Sequence, residues 1–457
     1  MLLVKRNEMD MTTGPLMKKL VAYAVPVVIT GVLQLLFNAA DVIIVGRYAG
    51  RTALAAVGST TSLINLMVNL FMMISIGVNV AVARYYGAHD PAEVSKTVST
   101  AMAMSVIIGL FVGVFGIVAS RPMLVMMESP SDVLDQAALY LRIYFVGIPA
   151  FMVYNFGAAV LRGVGDTRRP LLFLTFAGIV NVALNLLLVI RFNLSVAGVG
   201  IATVVSQYIS AGLVLWCMLH TDGCYHINPK RLALHREKLV RILKIGVPAG
   251  LQGAIFSISN VLIQSSVNSF GSTVMAGNAA ASNIEGFVFT CSNSVAQASL
   301  TFTSQNLGAR QFRRLRGITL WCLLLGALIG ELTGLLAYRF GQPLLSFYDD
   351  DAAVIAMGLV RLGLVGATYG LDAIMDVFAG VIRGLGRSVL PMVVTLIGAC
   401  GFRVLWVYTV FAAYHELRVL YLSYPISWIL TSLVHLVCYF IVKRQALRAA
   451  GEGVSAT

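Results

Sequence analysis

Gln34, Asn38 and Asp41 are spaced i, i+4, i+7, which puts two amides and a carboxylate on one face of a helix. The run that carries them, Lys18 to Gly46, is apolar and long enough to span a bilayer. A charge at the bilayer centre costs about 2.5–3.5 kcal/mol on insertion scales, so Asp41 is expected to face protein or a wet cavity and to be functional. Asn181 and Asn185 (i, i+4) and Thr203, Gln207 and Ser210 (i, i+4, i+7) make two more polar faces in apolar runs. If those faces meet the Asp41 stripe, one carboxylate among neutral oxygens forms a pocket for Na⁺, or a carboxyl able to carry H⁺. The rival reading of the neutral members is interhelical hydrogen bonding, worth about 0.6 kcal/mol per contact.

A second set of acids, Glu285, Asp372 and Asp376, lies beyond the middle of the chain. Tyr369, Asp372 and Asp376 share a helix face, and two carboxylates one turn apart repel unless a cation intervenes. Arg403 is the available cation, and a purely structural Asp–Arg pair is an equal alternative to a functional role. Glu331 sits in Gly326xxxGly330xxxGly334, a small-residue face suited to close helix packing, and is read as structural. Gln34, Asn38, Gln252, Asn260 and Tyr369 are candidates to line a substrate cleft. Pro26 and Pro248, both inside apolar helical runs, are candidate hinges.

The elements that must position these residues follow from composition. The 457 residues are 58% hydrophobic and 12% charged with mean hydropathy +0.85, outside the range of soluble globular domains. Twelve spans are expected, at 18–45, 52–83, 97–120, 136–158, 170–190, 197–219, 240–267, 274–304, 318–338, 354–381, 390–411 and 419–442. No cleaved leader is expected, because the first apolar run is too long for one. Of the 33 Lys and Arg, 24 fall in loops on the side of the N-terminus and six in the opposite loops, which places both termini in the cytoplasm. The net charge of +13 is therefore a topology signal, and no soluble domain is long enough to carry a nucleic-acid surface. The six cysteines form no CxxC pair and read as small core residues. His220, Cys224 and His226 read as part of a connecting loop and not as a metal site. No GxxxxGK[ST], HExxH or GxSxG occurs, so neither ATP hydrolysis nor intramembrane catalysis is supported and no cofactor is expected.

The chain also repeats itself. Leu161-Arg-Gly-Val-Gly-Asp-Thr-Arg-Arg-Pro170 is echoed by Ile382-Arg-Gly-Leu-Gly-Arg-Ser-Val-Leu-Pro391 with shared anchors 221 residues apart, while Pro26, Gly31 and Asn38 recur as Pro248, Gly253 and Asn260 at 222. An even number of spans per repeat gives both halves the same direction of entry. The expected fold is an all-α polytopic membrane protein with twelve transmembrane helices in two six-helix lobes, related by a pseudo-two-fold axis along the membrane normal. The expected division is 1–221 for the first lobe, 222–244 for a basic cytoplasmic linker leading into span seven, and 245–457 for the second lobe and cytoplasmic tail.

These residues resemble the multidrug and toxic compound extrusion (MATE) family. The resemblance rests on the Pro-bearing first span ending FNAADVIIVGRYAG, the paired ARYYGAHD and SQNLGARQ, the duplicated RGxGxxxxP, and VNVALNLLLV in span five. It implies a transporter, not an enzyme, with a central cleft and alternating access driven by Na⁺ or H⁺. Asp41, Asn181 and Thr203 match the family's first-lobe cation site. Asn185 stands where members commonly carry Asp. Asp372 matches a span-ten carboxylate of one branch whose span-seven acid falls on Phe256 here, and Glu285 resembles a carboxylate of other relatives.

The expected function is export of small amphipathic, often cationic compounds by a cation-coupled antiporter. It would act as a monomer in the lipid of the plasma (inner) membrane. A lipid-linked sugar flippase of the same superfamily is the first alternative, disfavoured because only Arg142, Arg361 and Arg403 lie in the spans to hold pyrophosphate. A channel or structural membrane protein is the second, disfavoured by the unequal acid content of two similar lobes.

Overall fold

Hydrocarbon offers no hydrogen-bond partner to a backbone, so a spanning chain must satisfy its own amides within helices. The computed structural model describes residues 7–127 and 130–449, and their regular elements are all helical; Lys5 and Arg6 of the charge count fall outside these residues. In the first half, α1 (Leu16–Ile44) ends in a π-helical turn, Val45–Ala49, and is followed by α2 (Arg51–Met72), α3 (Ile74–Gly87), α4 (Pro91–Met126) and α5 (Ser131–Gly163). Next come α6 (Arg168–Leu186), extended by a π-helical turn at Leu187–Arg191, and α7 (Ser195–Leu219). The second half holds α8 (Arg236–Asn268), α9 (Ser272–Gly308), α10 (Phe312–Arg339) and the short α11 (Gly341–Ser346). It continues with α12 (Ala352–Leu364), α13 (Tyr369–Gly384), α14 (Val389–Thr395), α15 (Phe402–Trp406), α16 (Ala412–Tyr414) and α17 (Leu417–Ala449).

Each expected span coincides with one of these helices or with a run of consecutive ones. Among the described residues eleven stretches are long and apolar enough to cross a membrane; α9, with 37 residues, is long enough but rich in Ser, Asn and Thr. Three spans read as single helices are interrupted: the second at Met73, the tenth by a 3₁₀ turn at Gly366–Thr368, and the eleventh by π-helical turns at Leu396–Gly401 and Val407–Phe411. The tenth breaks where the small-residue face of α10 presses on it. A Cβ at Gly334 would collide with the Gly366 carbonyl, and one at Gly330 would lie 2.8 Å from the Tyr369 carbonyl. The Thr368 hydroxyl caps the break by donating to the carbonyls of Leu364 (2.8 Å) and Val365 (3.1 Å).

The repeat is visible in the backbone. Gly50 and Gly271, His89 and Arg310, and Gly165 and Gly386 are pairs 221 residues apart, and their φ values are 88° and 93°, 54° and 57°, and 92° and 91°. Left-handed backbone at matched positions shows that the same turns close both halves.

The chain forms two compact units. One comprises the residues up to Asp10 with Ile29–Gly250, the other Met11–Val28 with Leu251 onward. The division expected from the chain halves and these units differ in two segments, because α1 and α8 each pass from one unit to the other partway along. In the first unit α5 is the central helix, packed by α2, α3, α4 and α7. In the second, α9 and α13 pack together and share α10, while α17 lies against α13. Within the second unit, the Met11 N–H donates to Gln305 Oε1 (3.1 Å) and the Met11 carbonyl accepts from Asn306 (3.1 Å).

Candidate functional site

In the first unit Asp41 sits one turn before the π-helical end of α1 and is half-buried. It meets α6 because Gly178 gives up its side-chain space: a Cβ there would overlap the Phe37 ring of α1. Two turns further on, Asn185 is wholly buried and donates Nδ2 to Asp41 Oδ1 at 2.5 Å, with Asn181 Oδ1 3.3 Å from the same nitrogen. Asn185 Oδ1 is a buried acceptor with no hydrogen-bond partner among the described residues, and so is Gln207 Oε1 on α7. Gln207 is seated in the notch left by Gly147 of α5, where a Cβ would strike its oxygen.

The structure thus brings Asp41, Asn181 and Asn185 together as one group. The Thr203 hydroxyl donates to its own helix at Val199 (3.0 Å), leaving only oxygen lone pairs to offer outward. Gln34 and Asn38 continue the Asp41 stripe as exposed side chains. Tyr140 and Tyr144 on α5, 6.2 Å apart ring to ring, lie within electrostatic range of Asp41. The sequence signal that could have found them is their i, i+4 spacing in span four. A cation here would be held by carboxylate and amide oxygens, the donor set of a hard ion.

The acids of the second unit fall into two groups. Glu285 is buried and gripped bidentately by Arg361, Nε to Oε1 at 3.0 Å and Nη2 to Oε2 at 2.7 Å. Arg361 Nη1 also donates to Asn278 Oδ1 (2.7 Å), which accepts from Tyr421 as well (2.9 Å). A carboxylate so fully satisfied inside an aromatic cluster holds α9 to α12, and Arg361, named at the sequence level only as a span arginine, is its partner. Asp372 and Asp376 on α13 act on one another electrostatically and face different cations. Asp376 accepts from Asn293 (3.2 Å) and interacts electrostatically with Arg383, while Asp372 interacts with Arg403.

Of the expected cleft residues in this unit, Gln252 accepts from Arg383 Nη2 (2.5 Å) and Asn260 is exposed. Tyr369 is buried, its ring 5.4 Å from that of Trp428. Pro26 and Pro248 are buried inside α1 and α8, and each lies two residues before the point where its helix passes from one unit to the other.

A family model described as MatE matches the chain twice, over residues 26–187 and 248–409; the two matches begin at the repeated prolines. The chain is 27% identical over 424 residues to the probable multidrug resistance protein YoeA of Bacillus subtilis, covering 90% of this chain and 91% of that protein. It is 24% identical over 392 residues to the probable multidrug resistance protein NorM of Thermotoga maritima, covering 83% and 82%. Among solved structures, a MATE protein in complex with MaL6 superposes with a TM-score of 0.91 at 20% identity, covering 97% of this chain and all of that one.

Proposed function

The chain belongs to the MatE family of multidrug efflux transporters, and from that premise we propose that it exports amphipathic, often cationic compounds in exchange for Na⁺ or H⁺ by alternating access. The observation that carries this reading is the Asp41–Asn185–Asn181 group with its unpartnered amide oxygen at Asn185. A carboxylate sharing a buried site with spare neutral oxygens supplies what a monovalent cation needs on losing its hydration shell. With Asn at position 185 the group carries a single carboxylate, so one bound Na⁺ or one H⁺ neutralises it.

Asp41 sits where α1 and α6 meet, so an ion bound there draws two helices together. Ion binding is useful for coupling only in so far as it distinguishes the two states. Arg361 is committed to Glu285 and so is not available to a pyrophosphate, which supports export over the flippase alternative. The cytoplasmic placement of both termini and the inner-membrane location belong to the same proposal and rest on the charge bias of the loops.

The test is uptake of a fluorescent cationic dye into proteoliposomes under separately imposed Na⁺ and H⁺ gradients. Transport that follows one gradient identifies the coupling ion. Dye flux that equilibrates at the same rate with no gradient would overturn coupled antiport.

A further inference from the structure

The second unit places a guanidinium and rings where the first places oxygens. Counted at the 222-residue spacing of Pro26 and Pro248, Asp41 corresponds to Ile263; counted at the 221-residue spacing of the duplicated RGxGxxxxP, Asn181 and Asn185 correspond to Phe402 and Trp406. Ile263 is buried and Trp406 packs on the same apolar cluster. The second unit's version of the pocket has therefore lost its hard-ion donors and become aromatic.

Beside it, Arg403 on α15 is only 1% exposed. Its guanidinium carbon lies 4.2 Å from the ring centroid of Tyr424, 5.4 Å from that of Phe256 and 5.7 Å from that of Trp428. Nε donates to Ser427 Oγ at 3.0 Å, but Nη2 is buried without a hydrogen-bond partner among the described residues. Asp372 is the carboxylate whose charge acts on it. The contrast with Arg361 in the same unit is informative, since Arg361 has a bidentate carboxylate and an amide. An unpartnered nitrogen alone does not set Arg403 apart, since Arg383 Nε in the same unit is also buried without a partner among the described residues; what surrounds the guanidinium does. Arg403 is held mainly by ring faces, as a ligand cation is held in an aromatic cage.

We propose that the Phe256–Tyr424–Trp428 cage is the subsite for the cationic group of an exported organic cation, and that Arg403 fills it as a built-in surrogate that the substrate displaces. The proposal rests on the reading that the substrates are cationic amphipaths. Ring faces select weakly hydrated cations, such as quaternary ammonium or phosphonium groups. Na⁺, with its preference for oxygen donors, is left to the Asp41 group, so the two repeats divide the labour between coupling ion and substrate. The flexible stem of Arg403 allows it to leave without unfolding α15. Phe256, half-buried on α8, is the most accessible wall and the point of entry.

The experiment is titration of purified full-length protein in nanodiscs with tetraphenylphosphonium, followed by equilibrium dialysis and tryptophan fluorescence. In the wild type, binding should change the fluorescence. Trp428→Phe should lose that change and bind about threefold more weakly, because a benzene face attracts a cation less than indole does. Arg403→Gln, which removes the competitor, should bind about tenfold more tightly, while Arg403→Lys should stay near the wild type. Equal or weaker binding by folded Arg403→Gln overturns the proposal. Should that variant not fold, an unaltered fluorescence change in Trp428→Phe overturns it instead. A wild type that binds no tetraphenylphosphonium at all overturns both the cage and the reading of cationic substrates. Binding that leaves the Trp428 signal untouched sinks the cage alone.

Discussion

Asp41→Asn preserves the volume of the side chain and an oxygen that can accept from Asn185, yet removes the charge. Reversing a two-state equilibrium from 1:99 to 99:1 takes about 5.5 kcal/mol of differential ion binding, which a neutral amide does not provide. Ion-driven dye export should therefore fall to the rate seen without a gradient, while dye binding and thermal stability stay near wild type; proteoliposome flux and a melting curve check the two halves of this statement. Glu285→Gln should behave in the opposite way. Its carboxylate neutralises a buried guanidinium, and breaking such a pair from one side costs about 3–5 kcal/mol. The expected result is a large fall in unfolding midpoint and in membrane yield, partly recovered when Arg361→Met is added. A stable Glu285→Gln protein with impaired coupling would instead assign Glu285 to transport.

Among the elements, α1 and α8 carry a proline two residues before the point where each changes unit. A proline removes one backbone hydrogen bond and clashes with the preceding turn, so it localises bending. Pro26→Ala is predicted to lower the export rate about tenfold and leave the unfolding midpoint unchanged or raised, since a helix-interior proline is intrinsically unfavourable by about 3 kcal/mol relative to alanine. Loss of the protein from the membrane, in place of a slower folded transporter, would make the bend a folding requirement.

The turn that starts α6 has a pH dependence of its own. Asp166 Oδ1 accepts the backbone N–H groups of Arg168 and Arg169 at 3.1 Å each, and Oδ2 lies 3.3 Å from Arg169 Nε. Burial nevertheless pushes this carboxyl up to about 6, against the lowering effect of those partners. A folded value above the unfolded one, about 3.9, means that the folded state binds the proton more tightly. The contribution is fully present below about pH 4 and is lost as pH rises through about 6. The unfolding midpoint should accordingly fall between pH 4 and pH 6.5, and Asp166→Asn, which keeps an acceptor for the cap, should flatten that slope. An unchanged slope in Asp166→Asn would assign the pH dependence to other groups.

At the scale of the whole molecule, orientation follows from where Lys and Arg remain outside the hydrocarbon, since positively charged loops are retained on the cytoplasmic side. Single cysteines introduced at Arg313 and Lys443, in a background lacking the native cysteines, should be inaccessible to an impermeant maleimide in intact cells and reactive in inverted vesicles. Labelling at either position in intact cells would reverse the topology. Of the six cysteines read as small core residues, Cys217, Cys322, Cys400 and Cys438 are buried, while Cys224 and Cys291 are only half-buried.

The helical class, the number of spans and the repeat were legible in the sequence because each depends on a local or periodic property. Run length measures bilayer thickness, and a left-handed glycine at Gly165 or Gly386 is demanded by the turn it closes, whatever surrounds it. The Asp41–Asn181–Asn185 group was partly legible for the same reason, as its members announce themselves by polarity in apolar helices. Partnership was not. Sequence spacing says which residues share a face of one helix, but whether Glu285 meets Arg361 or an ion, or whether Arg403 meets a carboxylate or three rings, depends on how separate helices are rotated against one another. That rotation is set by packing details such as the Gly178 notch that admits Phe37 and the Gly147 notch that seats Gln207. The interruptions at Gly366–Thr368 and Leu396–Gly401 escaped for a related reason: a hydropathy run records that a segment is buried in lipid or protein, and only the neighbour pressed against it decides where its helix gives way.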